Sequence, residues 1–455
     1  MPRNRRLALS TLIAACLLGA AGPALATDLL QAWQAARSND ANFAAAVAAL
    51  RASREKVPQG EAVLAAQVGL TGNAGQTTEN RTYGRPDSNP PGVYSGRTYG
   101  VGVGLSKPIF DVAGRVTRDR LFREADQGEV QFVQAGQDLI LRVAKAYFDV
   151  ELARENLTLA DAQKQAIGEQ LGLAKQSYEL GIAPITDMND AQSRHDDVLA
   201  AEIAGQLDLE VKSTAFRSLT GLAPETLVPV SPTLEAELPE PGALDRWLAD
   251  TRVGNTTLRS LALGVEIARR TIDQYRLANS PVVSLTASYG RSYTAGSISD
   301  SGGRDAVTSG VVGIQVSIPL SDGGARRSLM RQAVAIEDQQ RATLEAARGD
   351  AEDATRQYFA GIREGAQRIK ALERAAVSGA SSLASSKLGR EIGVRTAIDV
   401  LNAQQLYYQT LYTLAAARHD FLFNRLQLAA SAGRLDEAAL AAVNASMQPT
   451  PGSRP

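Results

Sequence analysis

Four short stretches of the chain alternate strictly between apolar and polar positions. In the first half the apolar positions are Val68, Leu70 and then Tyr99, Val101, Val103, Leu105. In the second they are Val283, Leu285, Ala287, Tyr289 and then Val312, Ile314, Val316, Ile318. The intervening positions are mostly Gly, Ser, Thr or Gln. A period of two with one apolar side predicts half-buried strands, here near residues 65–76, 98–110, 281–292 and 309–320. Between the members of each pair lie Thr77 to Arg97 and Arg291 to Ser309, rich in Gly, Ser, Asn and Asp and read as polar loops.

After Pro108 and Pro319 the pattern changes. Proline is expected to end strand pairing, and Asp111 and Asp322 are placed to cap helices. Long proline-free stretches dominated by Ala, Leu, Gln, Glu, Lys and Arg follow, predicting helices over 111–180, 186–220, 322–390 and 396–433. At 1.5 Å per residue the longest would reach about 100 Å, which implies coiled-coil-like packing. Their apolar positions split into two Ala-rich stripes, Leu139, Val143, Tyr147, Val150 and Ala144, Phe148, Leu152, as for a helix with neighbours on both sides.

The two halves are a tandem repeat at an offset of about 211 residues. Ser106-Lys107-Pro108-Ile109-Phe110-Asp111 aligns with Ser317-Ile318-Pro319-Leu320-Ser321-Asp322, and Tyr147-Phe148 with Tyr358-Phe359. Gly181, Asp187 and Ala191-Gln192 align with Gly393, Asp399 and Ala403-Gln404, one residue further on. The repeats span 27–227 and 244–435, joined by a Pro-rich linker at 228–243, and residues 436–455 read as a flexible tail.

Composition narrows the chemistry. Among 455 residues there are two histidines, His195 and His419, and one cysteine, Cys16, so no zinc cluster, disulfide framework or redox pair can be assembled. A net charge of −1 without a long basic run argues against nucleic acid. Arg3, Arg5 and Arg6 precede an apolar stretch that ends in Ala24-Leu25-Ala26, the form of a signal peptide over 1–26 cleaved before Thr27. Ile13-Ala14-Ala15-Cys16 loosely fits a lipidation site; the Ala-Leu-Ala end favours the first reading. No further segment is long and apolar enough for a membrane helix. Gly100-Val101-Gly102-Val103-Gly104 lacks the Gly-Lys-Ser/Thr of a phosphate-binding loop, and neither histidine has a nucleophile signature nearby. The chain is therefore expected to be no enzyme and to need no cofactor.

Four strands with one apolar side suit an outer membrane but cannot close a barrel, for which eight is the observed minimum. An open sheet edge in lipid is not viable, so chains must associate, and three would supply twelve strands around a usable lumen. The other reading of this pattern is a soluble periplasmic coiled-coil adaptor or scaffold with a small β-domain.

Four segments add a resemblance. Lys107-Pro108-Ile109-Phe110-Asp111, Ala146-Tyr147-Phe148-Asp149-Val150, Gly181-Ile182-Ala183-Pro184-Ile185-Thr186-Asp187 and Gly393-Val394-Arg395-Thr396-Ala397-Ile398-Asp399-Val400-Leu401 resemble, in order and spacing, the TolC family of outer-membrane channels. The likeness implies a mostly helical fold: a homotrimer with a 12-stranded barrel in outer-membrane lipid and a coiled-coil-like helical barrel in the periplasm. Type I secretion or multidrug efflux is the implied role, with a periplasmic adaptor and an inner-membrane ABC or proton-driven transporter as partners. It also implies that Asp399 lines a periplasmic aperture, where three copies would form a carboxylate ring that attracts cations. From the residues alone, Thr396 to Asp399 reads as a capping box, and the two roles are compatible. Asn402 stands where the family has a second acid, while its repeat counterpart Asp190 is acidic. Arg395 matches a gate-locking arginine with Thr186 and Asp187 as its partners, and Arg390 replaces a gating tyrosine. Gly181 and Gly393 are implied adaptor-docking turns, and C-capping explains them equally.

Overall fold

The computed structural model describes residues 27–82, 91–232, 242–299 and 303–447, together with 234, 236 and 240. The expected signal peptide, Cys16 and part of the linker lie outside the described residues. In chain order the elements are α1 (Leu29–Asn39), α2 (Ala41–Arg54), α3 (Lys56–Ala62), β1 (Gln67–Arg81), β2 (Gly92–Phe110), α4 (Val112–Glu179) and α5 (Ile185–Thr220). After a short 3-10 turn at Pro224–Thr226, the order recurs as α6 (Ala243–Gly254), α7 (Thr256–Leu277), β3 (Val282–Gly296), β4 (Arg304–Ser317), α8 (Ala325–Glu391) and α9 (Ala397–Ser431), and ends with α10 (Glu437–Met447). Among the described residues no helix is long and apolar enough to cross a membrane. The chain divides into two compact units, Met1–Ala48, Phe132–Arg259 and Ala347–Pro455 in one, Ala49–Gln131 and Ser260–Ala346 in the other.

The first unit holds the main core. Tyr147 and Phe216 are fully buried and meet edge to face at 6.3 Å, with Leu139, Val143, Leu422 and Leu426 around them. Each such side chain contributes about 1.5–3 kcal/mol of burial. The Tyr147 hydroxyl donates to the Val228 carbonyl at 2.6 Å, so its polar end is satisfied where the chain leaves the first repeat. Thr251, Thr355 and Ser431 bring three hydroxyls from α6, α8 and α9 together, at 2.9 and 3.1 Å.

One expectation is corrected here. Residues 437–447 are helical, and Leu440 and Met447 are buried in the core rather than part of a flexible tail. Asn444 secures this helix by accepting from the Leu29 backbone and donating to the Asp28 carboxylate, both at 3.0 Å. The stretch is alanine-rich with only three larger apolar side chains, Leu440, Val443 and Met447, so its docking onto α1 leaves little trace in local pattern.

The second unit carries one antiparallel sheet, ordered β1-β2-β3-β4. Each repeat supplies one hairpin, and β2 pairs with β3 to join them. The strands run further than the apolar alternation: β1 continues through Thr77 to Arg81 and β2 begins at Gly92, so much of the expected loop is paired backbone. A ladder depends on backbone donors and acceptors, and polar side chains continue it where no core is required. Pro108 does not end β2; a register shift between Pro108 and Phe110 absorbs it. At the centre Gly102 opposes Gly290, where a Cβ on Gly290 would sit 3.0 Å from the Val101 carbonyl oxygen.

Candidate functional site

Two features have the geometry to act: the turns that join the long helices in the first unit, and the sheet in the second.

The turns are built alike. At the end of α4, Gly181 takes φ 72° while the Ile182 and Ala183 amides donate to the Ser177 carbonyl at 2.8 and 3.2 Å. At the end of α8, Gly393 takes φ 78° while the Val394 and Arg395 amides donate to the Gly389 carbonyl at 2.8 and 3.1 Å. A left-handed residue closed by such bonds is the glycine C-cap, and both glycines are there for it. A side chain at Gly389 would collide with the Arg395 stem at 2.7 Å, so that glycine makes room for the arginine.

The helices restart differently. Pro184 begins α5 without a side-chain cap, whereas Thr396 begins α9 with a complete capping box. Thr396 Oγ1 accepts from the Asp399 amide at 3.3 Å, and Asp399 Oδ2 accepts from the Thr396 amide at 2.8 Å and its hydroxyl at 2.7 Å. These bonds, helped by the nearby Arg395 charge, hold the Asp399 carboxyl below the ordinary aspartate value. Asp399 therefore stays charged at neutral and mildly acidic pH while its oxygens are fixed in direction.

Within the chain, Arg395 and Asp187 form no ion pair among the described residues, so the expected bridge is not an intrachain contact. Thr186 and Asp187 lie in the first turn of α5, with the Asp187 amide bonded to the Pro184 carbonyl. Two other links join the helix pairs. The Arg390 guanidinium donates to Gln170 Oε1, from the last turn of α8 to the C-terminal part of α4. Arg194 on α5 donates to Asn402 Oδ1 on α9 at 3.4 Å. The neutral amide at 402 thus has a structural partner, and Asp190 at the equivalent place in the first repeat is exposed. Gln170 and Arg194 are absent from the sequence reading. Each is an ordinary polar helix residue, and only the pairing of α4/α5 against α8/α9 gives it a partner. Beneath these links Ile167, Leu171, Ala174, Ala191, Val198 and Leu401 form a small apolar cluster.

In the sheet, the registers place side chains on two faces. One carries Val68, Leu70, Val101, Val103, Leu105, Leu285, Tyr289, Val312, Ile314 and Val316. The other carries Gly69, Thr71, Asn73, Gly100, Gly102, Gly104, Ser288, Gly290, Ser292 and Gln315. Val68, Leu70, Val312 and Ile314 are two-thirds or more exposed in the single chain, so among the described residues this apolar face has no intrachain cover. Among the described residues the outer edges of β1 and β4 have no partner strand. Among the described residues no cluster of three His, Cys, Asp or Glu side chains could hold a metal ion.

Comparison with known proteins follows this architecture. The sequence model of the outer membrane efflux protein family matches residues 32–222 and again 247–434, once per repeat. The outer membrane protein TolC of Escherichia coli is 31% identical over 448 residues, covering 96% of this chain and 88% of that protein. The alkaline protease secretion protein AprF of Pseudomonas aeruginosa is 29% identical over 452 residues, covering 97% and 91%. Among solved structures, the outer membrane protein VceC of Vibrio cholerae superposes with a TM-score of 0.73 at 19% identity, covering 89% of this chain and 96% of that one. The family is made up of outer-membrane transport channels, which favours a channel over the soluble scaffold. With a helix–hairpin–long-helix unit used twice, a sheet with one apolar face, and a family match on both repeats, the chain belongs to the outer membrane efflux protein family and is an outer-membrane channel protein.

Proposed function

We propose that three copies of this chain close their sheets into one 12-stranded barrel and that the assembly is the exit duct of a type I secretion or multidrug efflux system. The observation that carries this reading is the open sheet, with one apolar face, one face of glycine and small polar residues, and two unpaired edges. All neighbours are antiparallel, so β4 of one copy meets β1 of the next without breaking the alternation. Pairing removes edges that lipid does not tolerate. Two copies would give eight strands with a filled interior, and three give the smallest useful lumen. The names of the relatives support both export routes: one is a protease secretion protein, and others are efflux channels.

On this reading the helical part lies in the periplasm and the turns at Gly181 and Gly393 form its entrance, available to a periplasmic adaptor and, through it, an inner-membrane ABC or proton-driven transporter. Three Asp399 carboxylates ring the aperture, each aimed by its capping box, with Asn402 a turn behind. Arg395, without an intrachain carboxylate partner among the described residues other than the nearby Asp399, is placed to reach Thr186 and Asp187 of a neighbouring copy. The links Arg390–Gln170 and Arg194–Asn402 hold each copy's two helix pairs together in the closed state. The test is the mass of the detergent-solubilised assembly, with cysteine pairs placed on the edges of β1 and β4. A three-subunit mass with edge-to-edge disulfides is expected, and a monomer without cross-links would overturn the reading.

A further inference from the structure

The apolar sheet face changes character at its hairpin end. Moving away from the helices, the row Val103–Tyr289 is followed by Val101–Arg291, then Tyr99–Tyr293, then Arg97–Ala295–Arg304. Arg97 and Arg304 flank Ala295 in one row, so their backbones stand about 10 Å apart at the usual strand spacing. Arg291 starts two rows lower, and its guanidinium lies over the Tyr293 ring, 5.0 Å from the centroid. It thereby carries its charge out of the apolar band toward the outer row. All three arginines are exposed, and among the described residues no carboxylate pairs with them. The acids of the strands, Glu79 and Asp305, fall on the opposite face, and Asp305 is bonded to Ser299 there at 2.7 Å. At the level of the paired tyrosines this face carries three arginines close together, without a carboxylate partner among the described residues, whereas toward the helices it carries the single cation Lys107.

We propose that Arg97, Arg291 and Arg304, set around Tyr99 and Tyr293, form a binding site for the phosphate groups of a phosphorylated glycolipid headgroup in the outer leaflet. This rests on the barrel reading. The strand ends joined to α3, α4, α7 and α8 face the periplasm, so the hairpin end faces outward. Charge complementarity selects the occupant. A guanidinium fork binds phosphate oxygens in pairs, the spacing of Arg97 and Arg304 spans a headgroup, and aromatic rings favour the interfacial depth at which headgroup phosphates lie. A neutral headgroup would leave three cations against lipid without counter-charge. Surface cations facing anionic lipid contribute about a five-fold gain in affinity each.

The experiment is native mass spectrometry of the full assembly in neutral detergent, titrated with bisphosphorylated lipid A, with its dephosphorylated form, and with inorganic phosphate. Retention of the bisphosphorylated lipid at least ten-fold above the dephosphorylated form is expected. Arg97→Gln, Arg291→Gln and Arg304→Gln should each weaken it about five-fold, and Arg304→Lys less, since the charge is kept and the fork lost. Equal binding of the two lipids, unchanged binding in the triple variant, or full displacement by millimolar inorganic phosphate would overturn the proposal. Each protein is also assayed for conductance in a neutral-lipid bilayer. A wild type that conducts but does not distinguish the lipids defeats this site alone; one that never conducts defeats the barrel as well.

Discussion

Removing Arg390 should open the periplasmic entrance. Its guanidinium donates to Gln170 Oε1, and Gln170 is only 8% exposed. Truncation to alanine removes a hydrogen bond assisted by charge, worth about 1.5–3 kcal/mol, and leaves a buried amide oxygen without that donor. If the link exists only in the closed state, Arg390→Ala shifts the closed-to-open equilibrium of each subunit by about ten- to one-hundred-fold. Single-channel recording in a planar bilayer reads this as longer and larger open events. Arg390→Lys should fall between, because the ammonium keeps charge but not the planar fork. Gln170→Leu on its own should open the channel less than Arg390→Ala, and the double variant should be no more open than the worse single, a coupling of at least about 1 kcal/mol. Open probability in Arg390→Ala equal to wild type, or strictly additive effects in the double variant, would refute the link as a gate element.

Three further outcomes follow from individual contacts. Asp399→Ala should lower cation selectivity in reversal-potential measurements. Because the wild-type carboxyl titrates below the ordinary aspartate value, its selectivity should persist at mildly acidic pH and fade only as pH drops past that lowered value. Glu151, 4% exposed, has its carboxyl pushed up to about 7 by burial, which outweighs the opposing pull of Arg154 at 2.5 Å. A raised folded-state value stabilises fully below the unfolded value near 4.5 and is lost as pH rises through about 7. Glu151→Gln should therefore remove up to about 3 kcal/mol of pH-dependent destabilisation between those limits, read as a flatter thermal-stability profile from pH 5 to 8. Gly290→Val should push β2 and β3 apart, since even a Cβ there meets Val101 oxygen at 3.0 Å and Gly102 Cα at 3.1 Å; a cost of about 1–3 kcal/mol should appear as reduced assembly yield on native gels.

The fold class was legible because it is written in periods. Strict alternation at Val68–Leu70 and Tyr99–Leu105 marks one-sided strands, and the change after Pro108 marks the switch to helix. The repeat was legible for the same reason, and Gly181 and Gly393 carry the left-handed turns their spacing implied. What local pattern hides is pairing at a distance. Nothing about Thr77 to Arg81 distinguishes a polar strand end from a loop until Gly92 to Gly96 lies opposite it. The docking of α10 depends on Asn444 finding Asp28 and Leu29, over four hundred residues away in sequence. Likewise Arg390 was legible as a charge at a helix end, whereas its partner Gln170 is fixed only by packing between helix pairs. Asp399 is the intermediate case: its capping box is local and was readable, and an aperture role depends on copies of the chain meeting.

The central claim, that copies of this chain close one membrane pore lined by the glycine and small-polar sheet face, is tested most directly by planar-bilayer conductance of the purified assembly. Discrete, cation-selective current steps from a three-subunit particle are the predicted result. A particle that inserts without conducting, or a water-soluble monomer that never inserts, would contradict it.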